Sequence, residues 1–190
     1  MTLPAGAAAA AIAGALQLFR YNANGLRPFV PTVDGFWHSF WAMALTAPLF
    51  ILTMAVGQPS QRTPIDPAGL WAGLGMIFIL LWLLFPLVMV RLAGMIGRED
   101  RVVGFLVVNN WISVPANLLQ TAVAFASVLP LPAGVGEGLQ MGVFLVLTVN
   151  RWWVTRLALG VTNLGAAGVV LLDLLLTVFV FQVVLTRLAD

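Results

Sequence analysis

Five long apolar runs follow one another along the chain, over roughly 36–56, 70–90, 103–129, 138–159 and 164–185. Each is close to the roughly 20 residues that an α-helix needs to cross a hydrocarbon core. The segments between them cannot extend a helix or else favour water. "GQPSQRTPIDPAG" carries three prolines, "GRED" is a charged turn, "LPLPAGVGEG" is rich in Pro and Gly, and "GVTN" is short enough for a tight hairpin. Pro86 and Pro115 fall inside apolar runs, where neighbouring helices can satisfy the freed carbonyls and a kink is expected. The pattern predicts an all-α, polytopic integral membrane protein built as a five-helix transmembrane bundle. It divides the chain into an N-terminal segment, 1–35, and a single transmembrane domain, 36–190.

The N-terminal "MTLPAGAAAAAIAGALQLFR" is apolar but rich in Ala, and its first basic residue is Arg20. It lacks the positive start of a signal peptide. The expected form is a helix lying in the membrane interface with Ile12, Leu16 and Phe19 on one side; a poorly ordered tail is the alternative.

Composition agrees with the pattern. The chain has 190 residues, of which 61% are hydrophobic and 8% charged, against about 25% charged in soluble domains. Mean hydropathy is +1.01. The net charge of +2 offers no field for nucleic acid. The absence of Cys excludes disulfides and thiolate chemistry, and the single His, His38, excludes a bis-His haem within one chain. No cofactor or metal site is expected.

The arginines set an orientation. With the N-terminus inside, Arg20, Arg27, Arg91, Arg98, Arg101 and Arg156 lie on the cytoplasmic side, while Arg62 and Arg187 lie outside together with the C-terminus. "GFWHSFW" then marks the interface of the first span, with Trp37 and Trp41 as belt residues and His38 solvated or hydrogen-bonded. The expected location is the inner membrane of a bacterium, with the bilayer as the first partner.

Polar residues inside the runs carry the candidate chemistry. Arg151 lies ten residues before Val161 in the "GVTN" turn and Asp173 twelve after it. At 1.5 Å per residue these are roughly 15 and 18 Å from the turn, near the middle of a core about 30 Å thick. Arg151 is therefore the expected partner of Asp173. Thr148, Arg151 and Thr155 share one helix face, as do Asp173 and Thr177. The third run carries Asn109, Ser113, Asn117 and Gln120 as a stripe, with Asn110 at its edge. Such a stripe must face protein or water. A buried polar cluster formed by the third, fourth and fifth spans follows. Two roles are open to it: a structural lock that fixes helix register, or a site for a proton, an ion or a transported substrate.

Small residues mark helix contacts. "GLWAG" (Gly69, Gly73) and "GLQMG" (Gly138, Gly142) match a small-xxx-small spacing and would touch each other or a second subunit; Gly165 and Gly168 would let the last two spans approach. Protease, hydrolase, P-loop and dinucleotide motifs are absent. "GVGEG" lacks the Lys of a P-loop, and Glu137 and Asp100 are too far along the chain to pair with Asp173. An enzyme is not expected.

"RWWVTRLALGVTNLGAAGVVLLDLLL" joins an Arg- and aromatic-containing fourth span to a small-residue start of the fifth, and "GREDRVVGFLVVNNWISVP" enters the third span with Arg before it and Pro inside it. With the five-span plan, these stretches resemble the Yip family (Ypt/Rab-interacting membrane proteins) and its bacterial relatives. The resemblance covers about the last half of the chain. The acidic–aromatic motif of the eukaryotic members has no counterpart in "FRYNANGLRPFVPTVDGFW", so GTPase binding is not implied. It implies a small non-enzymatic bundle that organises other membrane components. The expected function is accordingly an integral membrane interaction or scaffold protein, as a homo-oligomer or the small subunit of a complex. The alternative is a small transporter or channel using the Asp173/Arg151 cluster.

Overall fold

The computed structural model describes residues 5–57 and 67–189. Residues 58–66 of the proline-rich break, with Arg62, lie outside the described residues. The described residues contain no strand. The order is α1 (Ala5–Phe19), a 3₁₀ turn (Ala23–Leu26), α2 (Val33–Ser39), α3 (Trp41–Gly57), α4 (Pro67–Met95), α5 (Glu99–Ser127), α6 (Val135–Leu159) and α7 (Asn163–Ala189).

Four stretches among the described residues are long and apolar enough to cross a membrane: Val33–Val56, Ala68–Met95, Glu99–Ser127 and Asn163–Leu188. This is the pattern of a multi-pass helical membrane protein. The first is α2 and α3 in series. Thr32 caps α2 through a hydrogen bond from the Gly35 N–H (3.1 Å), and Ser39 interrupts it by donating back to the Phe36 carbonyl (2.6 Å). The fourth apolar run forms α6 at the expected place, but α6 is not one of the four. Gln140, Asn150, Arg151 and Arg156 dilute its apolar character.

α5 is the axis of the molecule. It packs against α1, α2, α3, α4 and α6, while α7 is held between α4 and α6. One end of the bundle is dry: Phe85, Met89, Ala93, Val102, Phe105, Leu106, Leu159 and Val169 interlock beside the α6–α7 turn. Towards the other end α4 and α7 close on Leu74, Ile77, Val180 and Val184.

The N-terminal helix docks by a different face from the one its large residues mark. Ala11, Gly14, Ala15 and Leu18 are buried, whereas Leu16 is exposed and Ile12 and Phe19 are half-buried. Small residues win because they let the α1 backbone approach α5, where Ala11 and Ala15 meet Val107 and Trp111. A Cβ on Gly14 would lie 2.8 Å from the Gly25 carbonyl oxygen. α1 ends on Tyr21, at φ +59°. The Asn22 N–H closes back on the Gln17 carbonyl (2.9 Å), and the Tyr21 ring rests edge-on against Trp153.

The small-residue motifs divide. Gly73 is buried against α7, where a Cβ would run into Leu188, so its neighbour is α7 and not the "GLQMG" face of α6. Among the described residues, Gly138, Gly142 and Gly168 are exposed with nothing within 4 Å, and Gly165 meets only its own turn at Val161 and Thr162. Ala166, not a glycine, is the buried residue of the α7 start.

Gly14→Ala should loosen the N-terminal helix by about 1–3 kcal/mol through overpacking. Gly6→Ala, in the same helix with open space around it, should tighten it by about 1 kcal/mol through helix propensity. The rate of trypsin cleavage after Arg20 in mild detergent should rise in the first variant and fall in the second.

Candidate functional site

The site begins with the α6–α7 hairpin. Gly160 ends α6 at φ +66°, a conformation that favours glycine. Arg156 then donates to the Asn163 side-chain oxygen (3.0 Å) and the Trp152 indole N–H to the Asn163 carbonyl (2.9 Å). The Gly165 N–H donates to Thr162 Oγ1 (3.1 Å). These bonds fix the register of the two helices, and register decides which side chains meet deeper in the bundle.

At that depth Arg151 Nη1 donates to Asp173 Oδ2. Asp173 is buried, and Thr177 donates to its backbone carbonyl (2.9 Å). Arg151 is the more open partner: 36% of its side chain stays accessible, against 12% for Asp173. Among the described residues Asp173 is the only partner of Arg151.

The stripe on α5 faces this pair and is wired along its own helix. Ser113 donates to the Asn110 carbonyl (2.5 Å), Asn117 to the Ser113 carbonyl (2.8 Å) and Thr121 to the Asn117 carbonyl (2.8 Å). Asn110, expected at the stripe's edge, is buried and donates to Ser39 Oγ (2.8 Å). It therefore ties α5 to the α2–α3 junction. The Thr53 and Thr121 hydroxyls lie 2.8 Å apart and join α3 to α5 further along.

Two cavities meet at the ion pair. The larger, about 460 Å³, lies between α3, α5, α6 and α7. Ser113, Asn117, Gln120, Thr148 and Arg151 line it together with Gln140 and Asn150. The smaller, about 180 Å³, lies towards α4 and is lined by Asn109, Asn110, Ser113, Asn117, Arg151, Asp173 and Thr177 against Phe50, Phe78 and Trp82. Ser113, Asn117 and Arg151 belong to both. Thr155 is buried but lines neither. Gln120 and Gln140 are exposed at the rim of the larger cavity.

Sequence reasoning missed Ser39, Thr53, Thr121 and Asn150. Thr121 had a signal, since it continues the Asn110–Asn117 face by one more turn. Asn150 had none: it reaches to the Leu18 and Phe19 carbonyls (3.1 and 3.4 Å) and caps the end of α1, a contact more than a hundred residues away in sequence. Among the described residues no group of three or more His, Cys, Asp or Glu could hold a metal. Chemically the arrangement offers one guanidinium, one carboxylate and a belt of amides and hydroxyls, suited to holding a polar or charged group. Compared with family models, curated proteins and solved structures, the chain matches none of them.

The unequal exposure of the pair sets the outcome of a mutational cycle. Arg151→Gln strands a buried carboxylate and should cost about 3 kcal/mol. Asp173→Asn leaves an arginine that the cavity can still solvate, and should cost about 1 kcal/mol. The double variant should recover most of the loss. Thermal unfolding in mild detergent checks all three, and a double variant no better than Arg151→Gln would show that the pair is not an energetic unit.

Proposed function

We propose that the chain is a small, non-enzymatic transporter of the bacterial inner membrane, with a polar or charged solute reaching as far as the Arg151–Asp173 pair. One observation carries this reading. Two cavities converge on the pair, whereas the end beside the α6–α7 turn is filled by a dry cluster. A passage open on one side of a central charge and sealed on the other is what alternating access requires. The topology proposed with it has five spans, α6 crossing the membrane in addition to the four apolar stretches, with the N-terminus cytoplasmic and the C-terminus outside. A polar helix can cross where its polar face looks into the bundle, and the arginine bias of six against two supports the orientation.

A second reading has its own support. Gly138 and Gly142 lie one turn apart on α6 with no neighbour within 4 Å among the described residues, and a partner helix or a second copy could approach closely there. This fits the scaffold or complex-subunit role and the Yip-like resemblance of the α6–α7 hairpin. In this reading the ion pair is a lock and the cavities are packing defects.

The two readings differ in whether the larger cavity is wet. The chain has no Cys, so a single introduced thiol is a unique reporter, reactive only where water supports the thiolate. Gln140→Cys and Thr148→Cys should react with a membrane-impermeant maleimide added from outside. Leu106→Cys, in the dry cluster, should react only after denaturation, and Asp100→Cys only from the cytoplasmic side. Protection of Thr148→Cys beside a reactive Gln140→Cys would sink the transport reading. If Gly142→Leu also disperses a detergent-stable oligomer, the scaffold reading takes its place.

A further inference from the structure

We propose that the larger cavity binds an amphipathic organic anion, and that this anion shares Arg151 with Asp173 so that one proton is taken up with it. The inference deepens the transport reading and rests on it for its biological meaning, but its test is one of binding and needs no flux.

The charges are asymmetric across the pair. Among the described residues Arg151 is the only charged one lining the larger cavity, while Asp173 lines only the smaller one. A guanidinium has five N–H donors in a planar fork. Asp173 engages it through Nη1, and the accessible 36% of the side chain belongs to a residue that lines both cavities. Donors are thus left for a second acceptor on the side away from Asp173. The fork matches a carboxylate, sulfonate or phosphate group. Thr148, one turn before Arg151 on α6, and Asn117 on α5 add a hydroxyl and an amide to the lining of the same cavity.

Polarity falls away from that point. Beyond Thr148 the α6 wall is Leu147, Phe144 and Val143, and polar side chains return at the rim. Arg151 and Gln140 are eleven residues apart on one helix, or roughly 16 Å. That span accommodates a charged head and an alkyl tail, and a volume of about 460 Å³ suits a small ligand. A purely hydrophilic anion would leave the apolar wall unused.

Charge balance then involves the proton. The ionised pair is neutral, so a second anion on Arg151 would leave a net negative charge away from bulk water, which is costly. Among the described residues Arg151 and Asp173 are the only titratable groups lining either cavity; neither α4 nor α5 contributes a charged side chain there. The proton that restores neutrality therefore goes to the Asp173 carboxylate. The anion and one proton enter, the Arg151–Asp173 ion pair is replaced by an Arg151–anion pair, and Asp173 becomes a neutral acid.

The test uses the full chain in nanodiscs and octanesulfonate, which stays ionised between pH 5 and 8, with affinity measured by calorimetry. Affinity should rise about tenfold per unit fall in pH, the slope for one proton taken up. Asp173→Asn, which mimics the neutral acid, should bind independently of pH at close to the low-pH affinity. The double variant Arg151→Gln/Asp173→Asn, which keeps a neutral interior and is expected to fold, should bind at least about a hundredfold more weakly. Octyltrimethylammonium, with the same tail and the opposite charge, should not bind. Methanesulfonate separates the sources of the anion: binding at least about tenfold weaker places the ligand among membrane-derived amphiphiles. Equal binding of methanesulfonate overturns the amphiphile in favour of a small aqueous anion. Equal binding of octanesulfonate to parent and double variant overturns the site, and a flat pH profile in the parent overturns the shared proton. Tight, Arg151-dependent binding without any flux keeps this site and removes the transport reading. Reactive Thr148→Cys with no binding keeps the transport reading and removes this ligand.

Discussion

A guanidinium inside an apolar helix bundle is the constraint around which the rest is arranged. A charge in such surroundings has to be paired or reached by water, because leaving it without either is costly. Arg151 meets Asp173 across the α6–α7 hairpin, and the hairpin owes its register to Asn163 and Thr162 at the turn. The polar face of α5 supplies the opposite wall. The ion pair, the tight turn and the Asn/Ser/Thr stripe therefore act as one unit, and changing the register of α7 would disconnect all three.

The same constraint explains the uneven packing along the bundle. Near the turn the helices carry large apolar side chains and close completely. Further along, α5 presents amides, a hydroxyl and small groups such as Ala116 and Ala124, and space remains between it and α6. Polar side chains on opposing helices cannot interdigitate as densely as Leu and Phe without stranding donors and acceptors. Much of the α5 polar capacity is met by its own carbonyls. This keeps the helix satisfied without a partner and leaves its face free to line a cavity. α3 and α2 brace α5 from outside through Thr53 and Ser39, and the capped end of α1 is tied to α6 through Asn150.

Much of this was legible along the chain where it depended on period or on distance from a turn. Asn109, Ser113 and Asn117 recur at helical spacing, and their common face is visible without coordinates. Arg151 and Asp173 stand at similar distances from Val161, which brings them to similar depth once a hairpin is assumed. The docking face of α1 was not legible in this way. Its large residues drew attention to Ile12 and Leu16, but close backbone approach favoured Ala11, Gly14 and Ala15. The glycine motifs failed for a related reason. Gly73 and Gly142 have equivalent sequence contexts, yet one is pressed against Leu188 and the other meets nothing among the described residues. A small residue permits an approach without specifying what approaches.

The sequence by itself determined the class: apolar runs of bilayer length, broken by proline, glycine and charge, leave helices crossing a membrane as the structure that satisfies the backbone. It also determined that one arginine and one aspartate would be carried into the interior. Only the tertiary structure decided that Asp173 faces one cavity while Arg151 faces two. It alone placed Asn150 under the N-terminal helix and made one end of the bundle dry. These outcomes depend on the rotation and spacing of helices about their axes. Packing between residues distant in sequence sets both, and neither is encoded in the hydrophobic period of any one helix.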